Sequence, residues 1–199
     1  MGGAFAPPIE SIKMDPLTYL IIDGENIDTT LGVSVLDRKP ASEERPRWDR
    51  VLTSAEELWN QPVKGLFFLN ASSGYMPMNF VQALLAMRYR PIPLAGIPDD
   101  QVVDQGIKRT LNAIGERGYG DVILASHDGD YEPEIKHLLE VGRRVGILGF
   151  PEFISSGLHD LTDEGLEIID IEHGIDAFQV RLPRLRIIDL EDFDPYEFI

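Results

Sequence analysis

Five short apolar runs, at 19–23, 65–70, 91–95, 121–125 and 144–148, alternate along this chain with stretches of helical periodicity. Helical spacing is read at 47–60, 78–88, 103–117 and 131–141, with a weaker turn at 155–161 before a last apolar segment at 166–171. Strands that take turns with helices of this length cannot pair as hairpins. They predict an α/β fold, a doubly wound and mostly parallel sheet flanked by helices, with right-handed crossovers. Ligands of such sheets bind beyond the carboxyl ends of the strands, where strand order reverses. In a 3-2-1-4-5 order the first and fourth strands are neighbours.

The placement of acidic residues makes that end of the sheet interesting. Asp23-Gly24-Glu25-Asn26 follows the first apolar run, and Asp128-Gly129-Asp130 follows the fourth. Adjacent first and fourth strands therefore set Asp23 beside Asp128 and Asp130. Asp104 heads a helical stretch, and Asp99-Asp100 follow Pro98. Carboxylates gathered at one place are costly unless a positive group sits among them, and hard oxygen donors without thiolates suit Mg²⁺ or Mn²⁺. Each segment also has a plainer reading. Asp-Gly is a turn signal, Asp130 stands where a helix cap belongs before Pro133, Asp104 complements a helix dipole, and Asp99-Asp100 suit a solvated turn.

Residues 1–16 read as a flexible lead-in, 17–172 as the domain, and 173–199 as an acidic C-terminal extension with a possible strand at 184–189. Residues 27–46, polar and proline-containing, read as a long loop beside the site. The extension's aromatic residues either pack back on the domain or dock a protein partner or second subunit.

Composition narrows the chemistry. No cysteine is present, which excludes disulfides and thiolate sites and suits a reducing cytoplasm. No apolar run approaches the roughly 18 residues of a membrane span, and no secretory signal is read at the N-terminus. Lys and Arg total 18 against 34 Asp and Glu, a net charge of −16 that opposes a general grip on nucleic acid. The excess is uneven. From Glu152 onward the only Lys or Arg are Arg181, Arg184 and Arg186, whereas Arg38, Lys39, Arg45, Arg47 and Arg50 form a basic block. No phosphate-binding Gly-rich loop is found, and His127, His137, His159 and His173 lack zinc-site spacing. His127 adjoins Asp128 and has either a structural or a phosphate-facing role.

The run ending Ile21-Ile22-Asp23-Gly24-Glu25-Asn26 now reads together with Gln101-Val102-Val103-Asp104 and Ala125-Ser126-His127-Asp128-Gly129-Asp130-Tyr131. With the following 138–145 segment, these residues resemble the NYN-domain branch of the PIN-like nucleases, over roughly residues 19–171. The resemblance implies an α/β sandwich and a Mg²⁺- or Mn²⁺-dependent ribonuclease acting on RNA. By matched position, Asp23, Asp104, Asp128 and Asp130 would form the metal site, and Asn26 would position water or substrate. Two positions depart from that pattern: Gln101-Val102 replaces a common Lys-Gly pair, and His127 replaces a small residue. Lys108 and Arg109, one turn after Asp104, either meet phosphate or face solvent. The alternative is a PIN-like scaffold that binds a partner or nucleotide without cutting. A TOPRIM-like or phosphatase-like metal enzyme ranks last, because its sequence signatures are missing.

Overall fold

The computed structural model describes residues 16–97, 101–184 and 188–197. Strands β1 (Thr18–Asp23), β2 (Val63–Asn70), β3 (Tyr89–Leu94), β4 (Asp121–Ala125), β5 (Val145–Gly149) and β6 (Glu167–Asp170) form one parallel sheet. Their order is β3-β2-β1-β4-β5-β6, so the chain reverses direction across the sheet between β1 and β4. This is the doubly wound arrangement expected from the alternation of strands and helices.

Sequence fixes which strands lie inside. Every residue of β1 and β5 is buried, as suits central parallel strands covered on both faces. β3 carries Pro91 and Pro93 two positions apart, so both lack an N–H on the same side. Such a strand can pair only through its other side, and β3 is an edge strand.

Alternation along each strand divides the interior into two layers. Leu20, Ile22, Phe67, Ile123 and Ala125 face one cluster, into which α1 (Gly24–Thr29), α2 (Trp48–Trp59) and α3 (Met78–Ala86) send Ile27, Trp48, Val51, Leu52, Trp59 and Leu84. Tyr19, Ile21, Leu66, Phe68, Val122 and Leu124 face the other. There α4 (Val102–Arg117), α5 (Glu132–Glu140) and α6 (Ser156–Asp160) supply residues including Ile107, Leu111, Ile135 and Leu158. The i, i+3, i+4 stripes of α2 and α4 are the faces that bury. Both helices end on a left-handed residue, Asn60 and Gly118.

Two sequence expectations need correction. Residues 27–46 are not a loop: α1 runs into a π-helix at Thr30–Leu36, and a 3₁₀ turn follows at Ser42–Glu44. The large aliphatic side chains buried there are Ile27, Leu31 and Leu36. The five-residue step from Leu31 to Leu36 fits the wider π-helical turn, so a 3.6-residue template misses it. Bidentate pairs from Arg38 to Glu44 and from Arg45 to Asp28 fasten the segment. These two arginines of the basic block are thereby neutralised locally.

The second correction concerns the domain's end, set at 172 from sequence. Ala177, Phe178 and Leu182 are buried in the first core cluster, so packing continues well into the expected extension. Arg184 then lies over the Phe150 ring at 4.7 Å and bonds Glu172 and Glu152. The strand expected at 184–189 falls partly outside the described residues, as does all of the lead-in except Pro16.

Candidate active site

β1 ends at Asp23, and β4 ends one residue before Ser126, side by side in register with Ile22 opposite Ala125. Beyond these two strand ends the chain turns to opposite faces of the sheet, α1 to one and α5 to the other, and such a reversal of strand order is where ligands of these sheets bind. Gly24 is required immediately after Asp23, because a Cβ there would stand 2.6 Å from the Phe67 ring.

Asp23 is 2% exposed and its carboxylate is fully engaged. One oxygen caps α1 by accepting from the Asn26 N–H at 3.1 Å. The other accepts from Ser126 Oγ at 3.3 Å and from the Tyr131 hydroxyl at 3.0 Å. Burial nevertheless dominates, and it pushes the Asp23 carboxyl up to about 6 against the pull of these bonds.

Tyr131, itself completely buried, also reaches Asp104 Oδ1 at 3.2 Å. A phenol has one proton and cannot donate to two carboxylates at once. The trio is satisfied when one carboxyl is protonated, or when a cation supplies the missing positive charge. Asp104, in the first turn of α4, is likewise raised, first by burial and further by the negative charges of Asp128 and Asp130. Lys108 acts in the opposite sense on Asp104, and its ammonium lies 5.9 Å from the Tyr131 ring centre. Of the two cations left open by the sequence, Lys108 is thereby placed at the site.

Asp128 caps the 3₁₀ turn Gly129–Tyr131, accepting from the Asp130 N–H at 2.9 Å, and its own N–H donates to Ser126 Oγ. Ser126 therefore joins Asp23 to Asp128. Asp130 is exposed. The second oxygens of Asp104 and Asp128 and both of Asp130 accept no hydrogen bond from the described residues. Asp99 and Asp100 lie outside the described residues.

Asn26 and His127 form a separate tie. Asn26 Oδ1 accepts from the His127 N–H at 2.9 Å and faces His127 Nδ1 at the same distance. Phe150 N–H donates to His127 Nε2 at 2.9 Å, which leaves the proton on Nδ1. The imidazole stacks on Phe150 with ring centres 5.7 Å apart, and burial lowers it to about 4. His127 is thus a neutral structural ring, and the phosphate-facing alternative is not what this geometry supplies. Gly149 makes room for it, since a Cβ there would come within 2.7 Å of Nε2.

Tyr131 and Ser126, which sequence reading passed over as individual contributors, hold the carboxylates together. The available signal was a tyrosine at 131, the first position of the buried 131, 135, 138 stripe, where an aliphatic residue would have sufficed for packing.

The donors suit a hard cation in kind: Asp104, Asp128 and Asp130 keep open carboxylate oxygens, while Asp23 stands behind them with both oxygens used. Among the described residues no three acidic or histidine side chains stand close enough together to hold a metal ion between them. No helix among the described residues is long and apolar enough to cross a membrane.

No family model matches this chain, and no curated protein matches it. Among solved structures, it is similar to a crystal structure of a protein of unknown function from Vibrio parahaemolyticus. That similarity has a TM-score of 0.63 and 18% identity, covering 84% of this chain and 99% of the other. It supports the fold.

Proposed function

We propose that this protein is a divalent-metal-dependent ribonuclease of the NYN/PIN-like type, hydrolysing phosphodiester bonds beyond the carboxyl ends of β1 and β4. The observation that carries this reading is the single Tyr131 hydroxyl shared by Asp23 and Asp104, with Asp128 and Asp130 near enough to raise Asp104 further. Such a cluster carries more carboxylate charge than Lys108 offsets, and Mg²⁺ or Mn²⁺ would supply the balance.

Asp104, Asp128 and Asp130 would hold the ion. When bound, it acidifies water, stabilises charge on the scissile phosphate and orients an in-line displacement. The chain's own residues preorganise that place. Asp23 fixes the Tyr131 phenol and Ser126 hydroxyl, which in turn hold Asp104 and the Asp128 backbone. Asn26 secures the 126–128 turn through His127, and Lys108 offers a cation beside the phosphate path.

Cleavage of a short labelled RNA with Mn²⁺ tests the proposal. Asp128→Asn should lower the rate at least 100-fold, about 2.7 kcal/mol of transition-state stabilisation, with no change in melting temperature beyond a few degrees. Equal rates for wild type and variant contradict it. A second reading, a non-cutting PIN-like scaffold, is favoured by one observation: both oxygens of Asp23 are spent on internal hydrogen bonds.

A further inference from the structure

At the amino-terminal end of the sheet the chain builds a recess of opposite character. Tyr19 pairs in register with Lys64, and Leu66 with Arg90. Alternation therefore puts Tyr19, Lys64, Leu66, Arg90 and Ile92 on one sheet face, the face covered by α4. The carboxyl end of α4 brings Arg117 onto the same spot, where its guanidinium donates to the Tyr19 hydroxyl at 3.0 Å and lies 4.0 Å from the Tyr119 ring centre.

The resulting recess has a volume of about 400 Å³. Lys64, Arg90 and Arg117 stand around Tyr19, Leu66 and Ile92, with Pro91 and Pro93 completing it. No acidic residue lines it, in a chain where acids outnumber bases by nearly two to one. None of the three cations has a carboxylate partner among the described residues. The arginines elsewhere that meet acids do so directly, as Arg38, Arg45, Arg88 and Arg144 illustrate. Three positive charges without a carboxylate partner among the described residues, converging on one recess, repel each other, and an anion relieves that repulsion.

We propose that this recess binds a phosphorylated organic anion of nucleotide size, of the nucleoside diphosphate class. The cations take the phosphates, and the apolar floor of Tyr19, Leu66 and Ile92 takes the planar organic part. The volume is that of small-molecule sites, and convergence on a single recess fits a compact ligand better than a long polyanion. The site lies about 20 Å from Asp104 along α4, at about 1.5 Å per residue, and does not depend on the nuclease reading.

Calorimetric titration with ADP, pyrophosphate and adenosine, in EDTA and low salt, tests it with wild type, Lys64→Gln/Arg90→Gln and Asp128→Asn. Both residues in the double variant are exposed, so its melting temperature should hold. ADP should bind wild type and Asp128→Asn alike at one equivalent, more tightly than pyrophosphate, with no heat from adenosine. The double variant should bind ADP at least tenfold more weakly. Absence of ADP binding, or equal affinity in the double variant, overturns the site. An ADP affinity no greater than that of pyrophosphate overturns the assignment of an organic ligand.

Discussion

Asp23→Asn is expected to make the protein more stable at pH 7.5, by about 3 kcal/mol. The Asp23 carboxyl is raised to about 6 by burial, so its proton binds more tightly in the folded chain than in the unfolded one. Stability from this group is complete below its unfolded value and is lost as pH rises through the folded value near 6. At about 1.36 kcal/mol per pH unit, the ionised group costs about 3 kcal/mol at neutral pH. An amide imitates the protonated acid: its oxygen keeps the Asn26 bond and its NH₂ faces Ser126 and Tyr131, whose hydroxyls can rotate to accept. The gain should shrink to about 1.5 kcal/mol at pH 5. Urea unfolding at both values measures it, and a destabilised variant at pH 7.5 contradicts the assigned strain. A residue whose removal stabilises the fold is retained for some other reason, as at many functional sites.

His127→Phe is expected to cost about 3 kcal/mol at pH 7.5. The ring volume survives, but the Phe150 N–H is left buried without an acceptor, and Asn26 Oδ1 loses its side-chain partner. The pH dependence should also change. Burial lowers His127 to about 4, so the unfolded chain binds its proton first on acidification. Stability from His127 is therefore present at neutral pH and drains away as pH falls from about 6.5 to about 4. Asp23, together with the likewise raised Asp104, runs the other way over an overlapping range, so the wild-type profile between pH 5 and 7.5 should lie between those of the two variants. His127→Phe should be clearly more stable at pH 5 than at 7.5, while Asp23→Asn should weaken on acidification. Glu44, held down to about 2 by Arg38, titrates below this interval. Parallel profiles for the three proteins contradict the opposed pair.

These two side chains also mark where sequence stopped being informative. The alternation of strands with helices and the stripes of α2 and α4 are local patterns. They survive into the structure because each is a period, whereas the edge position of β3 was not read from its two prolines. The adjacency of Asp23 and the 126–130 turn followed from strand order. Tyr131's shared proton did not, because it depends on three side chains converging from β1, α4 and the start of α5. The segment 27–46 was hidden by its π-helical spacing, and Ala177, Phe178 and Leu182 by an acidic neighbourhood that reads as solvated. His127's role rests on a backbone N–H 23 residues away, which no motif encodes.

The account depends most on whether the Asp23–Tyr131–Asp104 neighbourhood, with Asp128 and Asp130, takes up a divalent cation. Calorimetric titration of metal-free protein with Mn²⁺ at pH 6 measures this directly. Saturable binding is predicted, weakened at least tenfold in Asp104→Asn, with a heat that varies among buffers because the cation expels the proton held near Asp23. A wild-type titration with no saturable heat would contradict it.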